Sequence, residues 1–153
     1  MGKLMNSKKL YVLMLTLFMI YGCNFHATDH NDENDKKEAE KVTGAIYFAG
    51  FKKDYKQIDT LFSDKFFIDI RRENLSEIVE KNSDSLGGLV TWDLKSWETE
   101  DISGKNSGSR YLLQYDVEYK KAKTTETFYM EKEGDNIIRI LKYNIRSDVY
   151  KHK

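Results

Sequence analysis

Apolar and polar positions divide the chain into regions of different periodicity. Lys3, Lys8 and Lys9 precede "LYVLMLTLFMIYG", roughly a dozen apolar or small residues, and then "NFHATDHNDENDKK" is almost wholly polar. From Glu38 the pattern becomes helical: Val42, Ala45, Ile46 and Ala49 recur at three- and four-residue spacing, with Phe48 and Phe51 widening the stripe. This predicts a helix over Lys37–Lys52. A second helix is expected around "DYKQIDTLF", where Tyr55, Ile58, Leu61 and Phe62 share a face and Asp54 can cap. "RENLSEIVEKNSDSLG" predicts a third, with Leu75, Ile78 and Val79 as its apolar face and Gly87 as its stop. The second half reads as strands. "LVTWDLKSWETEDI" is followed by the turn-forming "SGKNSGS", and "RYLLQYDVEYKK" then alternates, with Tyr111, Leu113, Tyr115, Val117 and Tyr119 on one face. "TTETFYMEKE" places Phe128 and Met130 together, "EGDN" turns, and "IIRILKYNIRSD" closes the set. Helices followed by an antiparallel meander define an α+β protein, with amino-terminal helices packed on a curved antiparallel sheet.

Charge narrows the functional classes. Lysine and arginine total 25, as do aspartate and glutamate, but three lysines lie in the first 22 residues, which carry no acid. Without that segment 22 basic residues face 25 acidic ones, a net charge of −3 that argues against a nucleic-acid partner. A single cysteine can form neither an intramolecular disulfide nor a CxxC-type zinc site. The three histidines, His26, His30 and His152, fall outside the expected domain of residues 38–148, so no histidine-based triad or metal centre is expected within it. Asp29, Asn31, Glu33 and Glu40 follow EF-hand spacing, but Asn34 stands where glycine is needed and Lys37 occupies a ligand position, so no metal site is expected. "SGKNSGS" lacks the spacing and context of a phosphate loop. No cofactor is implied.

The basic stretch and apolar run have the form of a secretory signal, and the run is too short for a transmembrane helix, which needs about 20 apolar residues. Ile20, Tyr21 and Gly22 precede Cys23, and here the chain resembles a bacterial lipoprotein precursor, whose lipobox is an aliphatic residue, two small residues and cysteine; Tyr21 is bulkier than the usual residue. The resemblance implies cleavage between Gly22 and Cys23 and acylation of Cys23, whose thiolate is the natural nucleophile for the transfer. It thus implies membrane lipid as a partner, because two or three acyl chains anchor where one is marginal. The expected organisation is a signal peptide at 1–22, a disordered polar tether at 23–37, the domain at 38–148 and a tail at 149–153. Asn24 after the cysteine, by the same resemblance, suits sorting to an outer membrane; a source with one membrane would carry the anchor on that membrane's outer leaflet.

The element order, with "FKKDYKQIDTLFSDKFF" before the sheet and "FYMEKEGDNIIRILKYNI" at its end, resembles the nuclear-transport-factor-two-like (cystatin-like) roll, and more narrowly small bacterial lipoproteins carrying it. Such a fold hosts enzymes and inert binding modules alike. Ketosteroid isomerase, of this fold type, uses an Asp base with an oxyanion hole of Tyr and protonated Asp. Here Tyr111, Tyr115, Tyr119 and Tyr143 lie on neighbouring strands, but Asp116 alternates onto the opposite face, and no catalytic residue is assigned. Trp92 and Trp97 are separated by an odd number of positions, so a regular strand would point them to opposite faces, one as core and one as pocket or interface. The reading is a non-enzymatic, lipid-anchored envelope protein whose roll binds a small apolar ligand or an envelope protein. Its alternatives are a pocket enzyme of isomerase or dehydratase type and an immunity or phage-exclusion lipoprotein.

Overall fold

The computed structural model describes residues 28–68, 70–102 and 108–147. Its elements are β1 (Thr28–His30), α1 (Glu33–Lys52), α2 (Leu75–Leu86), β2 (Leu89–Ile102), β3 (Gly108–Tyr119), β4 (Lys123–Lys132) and β5 (Ile138–Ser147). Strands β2 to β5 form an antiparallel meander, and β1 adds three residues along the end of β2. Two helices pack against this open sheet, so the expected α+β class holds.

α1 begins at Glu33, four residues before the expected Lys37 and inside the stretch read as tether. The cause is local: Asp32 caps it, its Oδ1 accepting from the backbone N–H groups of Asn34 (2.7 Å) and Asp35 (3.1 Å). The buried line runs Ala39, Thr43, Ile46, Tyr47, so the helix is rotated from the expected orientation; Ala45, Phe48 and Phe51 are exposed. The second predicted helix is replaced by a 3-10 turn at Ile58–Leu61, and further 3-10 turns follow at Asp64–Ile68 and Arg72–Asn74, the last within the start of the third predicted helix. The chain is drawn flat there, since Phe62 bridges Ile140 and the Ser63 N–H donates to the Ile140 carbonyl at 3.0 Å, engaging backbone that a continuous helix would need for itself. Tyr55, Ile58 and Phe62 are nonetheless buried as the periodicity predicts.

Gly87 ends α2 as expected, at φ 89°, with its N–H donating to the carbonyls of Ser83 and Asp84. A Cβ at this position would stand 2.6 Å from Lys121 Cγ. Gly87→Ala is therefore expected to destabilise the fold by about 1–2 kcal/mol through left-handed strain, read as a lower urea midpoint at unchanged slope.

In β3 the alternation is as predicted: Tyr111, Leu113, Tyr115 and Val117 are buried, while Asp116 and Glu118 are exposed. Three register shifts occur in the neighbouring strands, one near the start of β2 at Val90 and two that change which side chains face inward. In β2 the register steps over Lys95, so Trp92 opposes Val117 and Trp97 opposes Leu113. Both tryptophans pack against the core, which corrects the expectation that they diverge; one extra residue restores their common parity. In β5 the register steps over Leu141, and the inward set changes from Ile138 and Ile140 to Tyr143 and Ile145. The core lies between the two helices, the 3-10 segment and this inner face, around Ile46, Phe62, Leu113, Phe128, Met130 and Ile140.

Candidate functional site

Strand parity puts Thr124, Glu126, Phe128 and Met130 on the inner face of β4, and all four are buried. Glu126 is thus a carboxylate with 0% exposure inside the core. Such a group requires partners, because burying an unpaired charge is costly. Four hydroxyls supply them. Tyr119, at the end of β3, donates to Oε1 at 2.8 Å, and Thr124 donates to the same oxygen at 3.0 Å. Tyr47 of α1 donates to Oε2 at 3.2 Å, and Tyr143 of β5 at 2.5 Å. These four bonds match the acceptor capacity of a carboxylate. Among the described residues no lysine or arginine pairs with it; hydroxyl dipoles alone face the charge.

α1, β3 and β5 each contribute one tyrosine, and β4 contributes both Glu126 and Thr124. α1 contributes Tyr47, set by the buried line described above; its ring stacks on Trp92 with centroids 5.1 Å apart. The β5 bulge turns Tyr143 inward, where its ring stacks on Phe128 at 4.5 Å and 10°. A regular β5 would aim Tyr143 at solvent. Desolvation pushes the Glu126 carboxyl above the usual carboxylate range, although bonds from Tyr143, Tyr119, Thr124 and Tyr47 oppose it. Burial and the nearby carboxylate push the Tyr47 and Tyr143 phenols well up, so both stay protonated donors at neutral pH.

Of the expected pocket residues, Tyr119 and Tyr143 meet at Glu126, and Trp92 joins them through Tyr47. The others lie elsewhere. Tyr115 shares a 2.7 Å hydroxyl contact with Thr43, and burial pushes its phenol up to about 12. Tyr111 is buried at the far end of β3, opposite Thr99 and Met130. Trp97 lies under the Lys36 ammonium, 5.1 Å from its ring centre. Asp116 is exposed with Lys95 and Thr125, as its parity predicts. Gly22 and Cys23 lie outside the described residues, as do His26 and His152. Glu126, Tyr47 and Thr124 were not singled out from the sequence. The available signal was parity, since Glu126 shares the face already assigned to Phe128 and Met130.

Space around the carboxylate is small. A cavity of about 40 Å³ adjoins the three tyrosines beneath the helices, with Ile46, Ser83, Leu86 and Leu89 among its walls. Sites for drug-sized ligands run to several hundred Å³. Larger depressions occur where outer-face residues dominate: one of about 800 Å³ bordered by Asp93, Asp116, Glu118, Lys123, Thr125 and Arg146, and one of about 360 Å³ bordered by Glu98, Arg110, Leu112, Tyr129 and Leu141. Among the described residues no group of three or more histidine, cysteine, aspartate or glutamate side chains could hold a metal, and no helix is long and apolar enough to cross a membrane.

The chain matches no known protein-family model and no curated protein. With its lone pairs occupied and no substrate-sized space beside it, Glu126 ties α1 to β3, β4 and β5.

Proposed function

We propose that this is a lipid-anchored protein of a bacterial envelope, attached through Cys23, whose domain binds an envelope protein through its outer surface without catalysis. The observation that carries the surface role is the filled space between helices and sheet: Phe62, Leu113, Phe128, Met130 and Ile140 are each 0–2% exposed there. An isomerase or dehydratase would need that space for its substrate, and a small apolar ligand would need it as well. The mixed-charge depression around Asp93, Thr125 and Arg146 offers a protein partner polar contacts and the rim chemistry of a transient interface. Helices packed on an antiparallel meander also support reading the domain as a cystatin-like or nuclear-transport-factor-two-like roll. The location rests on the apolar run ending at Gly22–Cys23.

Fatty-acid labelling tests the anchor. The full chain is expected to incorporate labelled palmitate and to fractionate with membranes, while Cys23→Ala loses incorporation completely and leaves the acylated fraction. Continued labelling of the variant would refute it. A photo-crosslinking side chain at Thr125 is expected to yield a discrete protein adduct in cells, and one at buried Leu113 none; equal yields would count against surface recognition.

A further inference from the structure

The polar stretch after Cys23 is pinned to the domain sooner than its composition suggests. β1 places Thr28 opposite Ile102 and His30 opposite Glu100. The Asn31 N–H then donates to the Thr99 carbonyl at 2.9 Å and the Asp32 N–H to Thr99 Oγ1 at 3.0 Å, just before α1 begins. Four residues, Asn24 to Ala27, separate Cys23 from this attachment. The five Cα–Cα steps between Cys23 and Thr28 span at most about 18 Å, against about 50 Å for a tether running to residue 38. An acyl anchor at Cys23 would therefore hold the β1 corner of the sheet close to the lipid headgroups. The outer face beside that corner is apolar. Leu112 opposes Tyr129, and both border, with Leu141 and His30, the depression of about 360 Å³. Tyr129 is 41% exposed, and the Lys142 ammonium lies 5.8 Å from its ring centre. Tyrosine and a long basic side chain around aliphatic residues suit a boundary between water and lipid. Glu98 and Glu100 balance Arg110 and Lys142, so these four rim residues carry no net charge.

We propose that this corner of the outer face, centred on Leu112, Tyr129 and Leu141, is a membrane-contact surface that lies on the bilayer holding the Cys23 anchor. The proposal depends on the reading of Cys23 as the acylated residue. The short leash selects lipid as the occupant, because it makes the second contact intramolecular. A patch too small to hold a free domain on a bilayer is occupied once the anchor is inserted. The polar row of Asp93, Asp116, Thr125 and Arg146 lies six residues along β3 from Arg110, about 20 Å away, and stays open to a protein partner. The exposed Phe48 and Phe51 stand near the other end of α1, and Phe51 is about 27 Å along the helix from Glu33, so they lie away from the anchored corner.

Spin labelling of the full acylated chain in phosphatidylcholine vesicles tests it, since acylation of Cys23 leaves an introduced cysteine as the single free thiol. Nitroxides on Tyr129→Cys, Thr125→Cys and Phe51→Cys are compared by collision with oxygen, which concentrates in lipid, and with a water-soluble nickel chelate. The label at position 129 should show several-fold less nickel collision and more oxygen collision than those at 125 and 51. Because the rim is balanced in charge, the result should be the same with and without phosphatidylglycerol in the vesicles. On a Cys23→Ser chain the vesicles should change none of the three labels, and that chain should not float with them. Nickel access at 129 equal to that at 125, protection at 51 instead, or protection on anionic vesicles alone would overturn the contact surface and leave the anchor standing. A chain recovered from cells with no acyl group on Cys23 would overturn the anchor, and this proposal with it.

Discussion

Phe128→Ala is expected to cost about 3–5 kcal/mol of folding stability, enough to leave a domain of this size marginal. Phe128 has no exposed surface, and its ring lies edge-on to Tyr47 at 5.8 Å and Tyr115 at 6.0 Å while stacking on Tyr143 at 4.5 Å. Those neighbours come from α1, β3 and β5, so they cannot collapse together into the void without moving the helix against the sheet. Lost transfer energy and the residual cavity then add. Removing the ring also unseats Tyr143, and with it one of the four donors to Glu126. Urea unfolding followed by tryptophan fluorescence measures the effect. A loss below about 1 kcal/mol would show that this cluster is not the centre of the core.

The second large effect concerns Glu126. Its carboxyl is raised above the ordinary value of 4.5 by burial, so the folded chain holds the proton more tightly than the unfolded chain. A raised acid contributes most to stability below its unfolded value, and that contribution disappears as pH rises through the folded value. Wild type is thus expected to lose stability with rising pH over a window that opens near 4.5 and extends upward. Glu126→Gln, which cannot ionise, should lack this loss, so the difference between the two should change across the window. Parallel profiles between about pH 4 and pH 8 would disprove the assignment. Glu126→Ala acts differently. It strands the hydroxyls of Tyr47, Thr124, Tyr119 and Tyr143 in a dry interior, and a loss of at least about 3 kcal/mol is expected at every pH.

Reading the chain succeeded where a structure's periodicity comes from the backbone alone. The alternation of Tyr111, Leu113, Tyr115 and Val117 follows from the pleat, and Gly87 ends α2 because a left-handed residue is cheapest as glycine. It failed where a single residue changed the phase. Lys95 and Leu141 carry no mark that distinguishes them as bulges, yet one brings Trp97 to the same face as Trp92 and the other turns Tyr143 inward. In α1, hydrophobicity favoured Phe48 and Phe51 over Thr43 and Tyr47. The polar tips decided otherwise, because Thr43 finds Tyr115 and Tyr47 finds Glu126. Glu126 itself had the right parity but the wrong chemistry for a core, and charged residues are almost never fully buried unless paired.

Sequence by itself determined the class, the two α-helices, the four strands of the meander, the turn at Gly87 and the inner face of β3, since each depends on sterics acting over a few neighbouring residues, whereas β1 and the 3-10 turns in place of the middle helix do not follow from it. Tertiary structure alone decided which side chains meet. Tyr47 lies 79 positions from Glu126, and Tyr143 lies 17 from it, so their approach depends on the register of two bulged strands and the rotation of a helix. These are set by packing the whole domain at once, because a buried carboxylate is tolerated only where several distant donors converge on it.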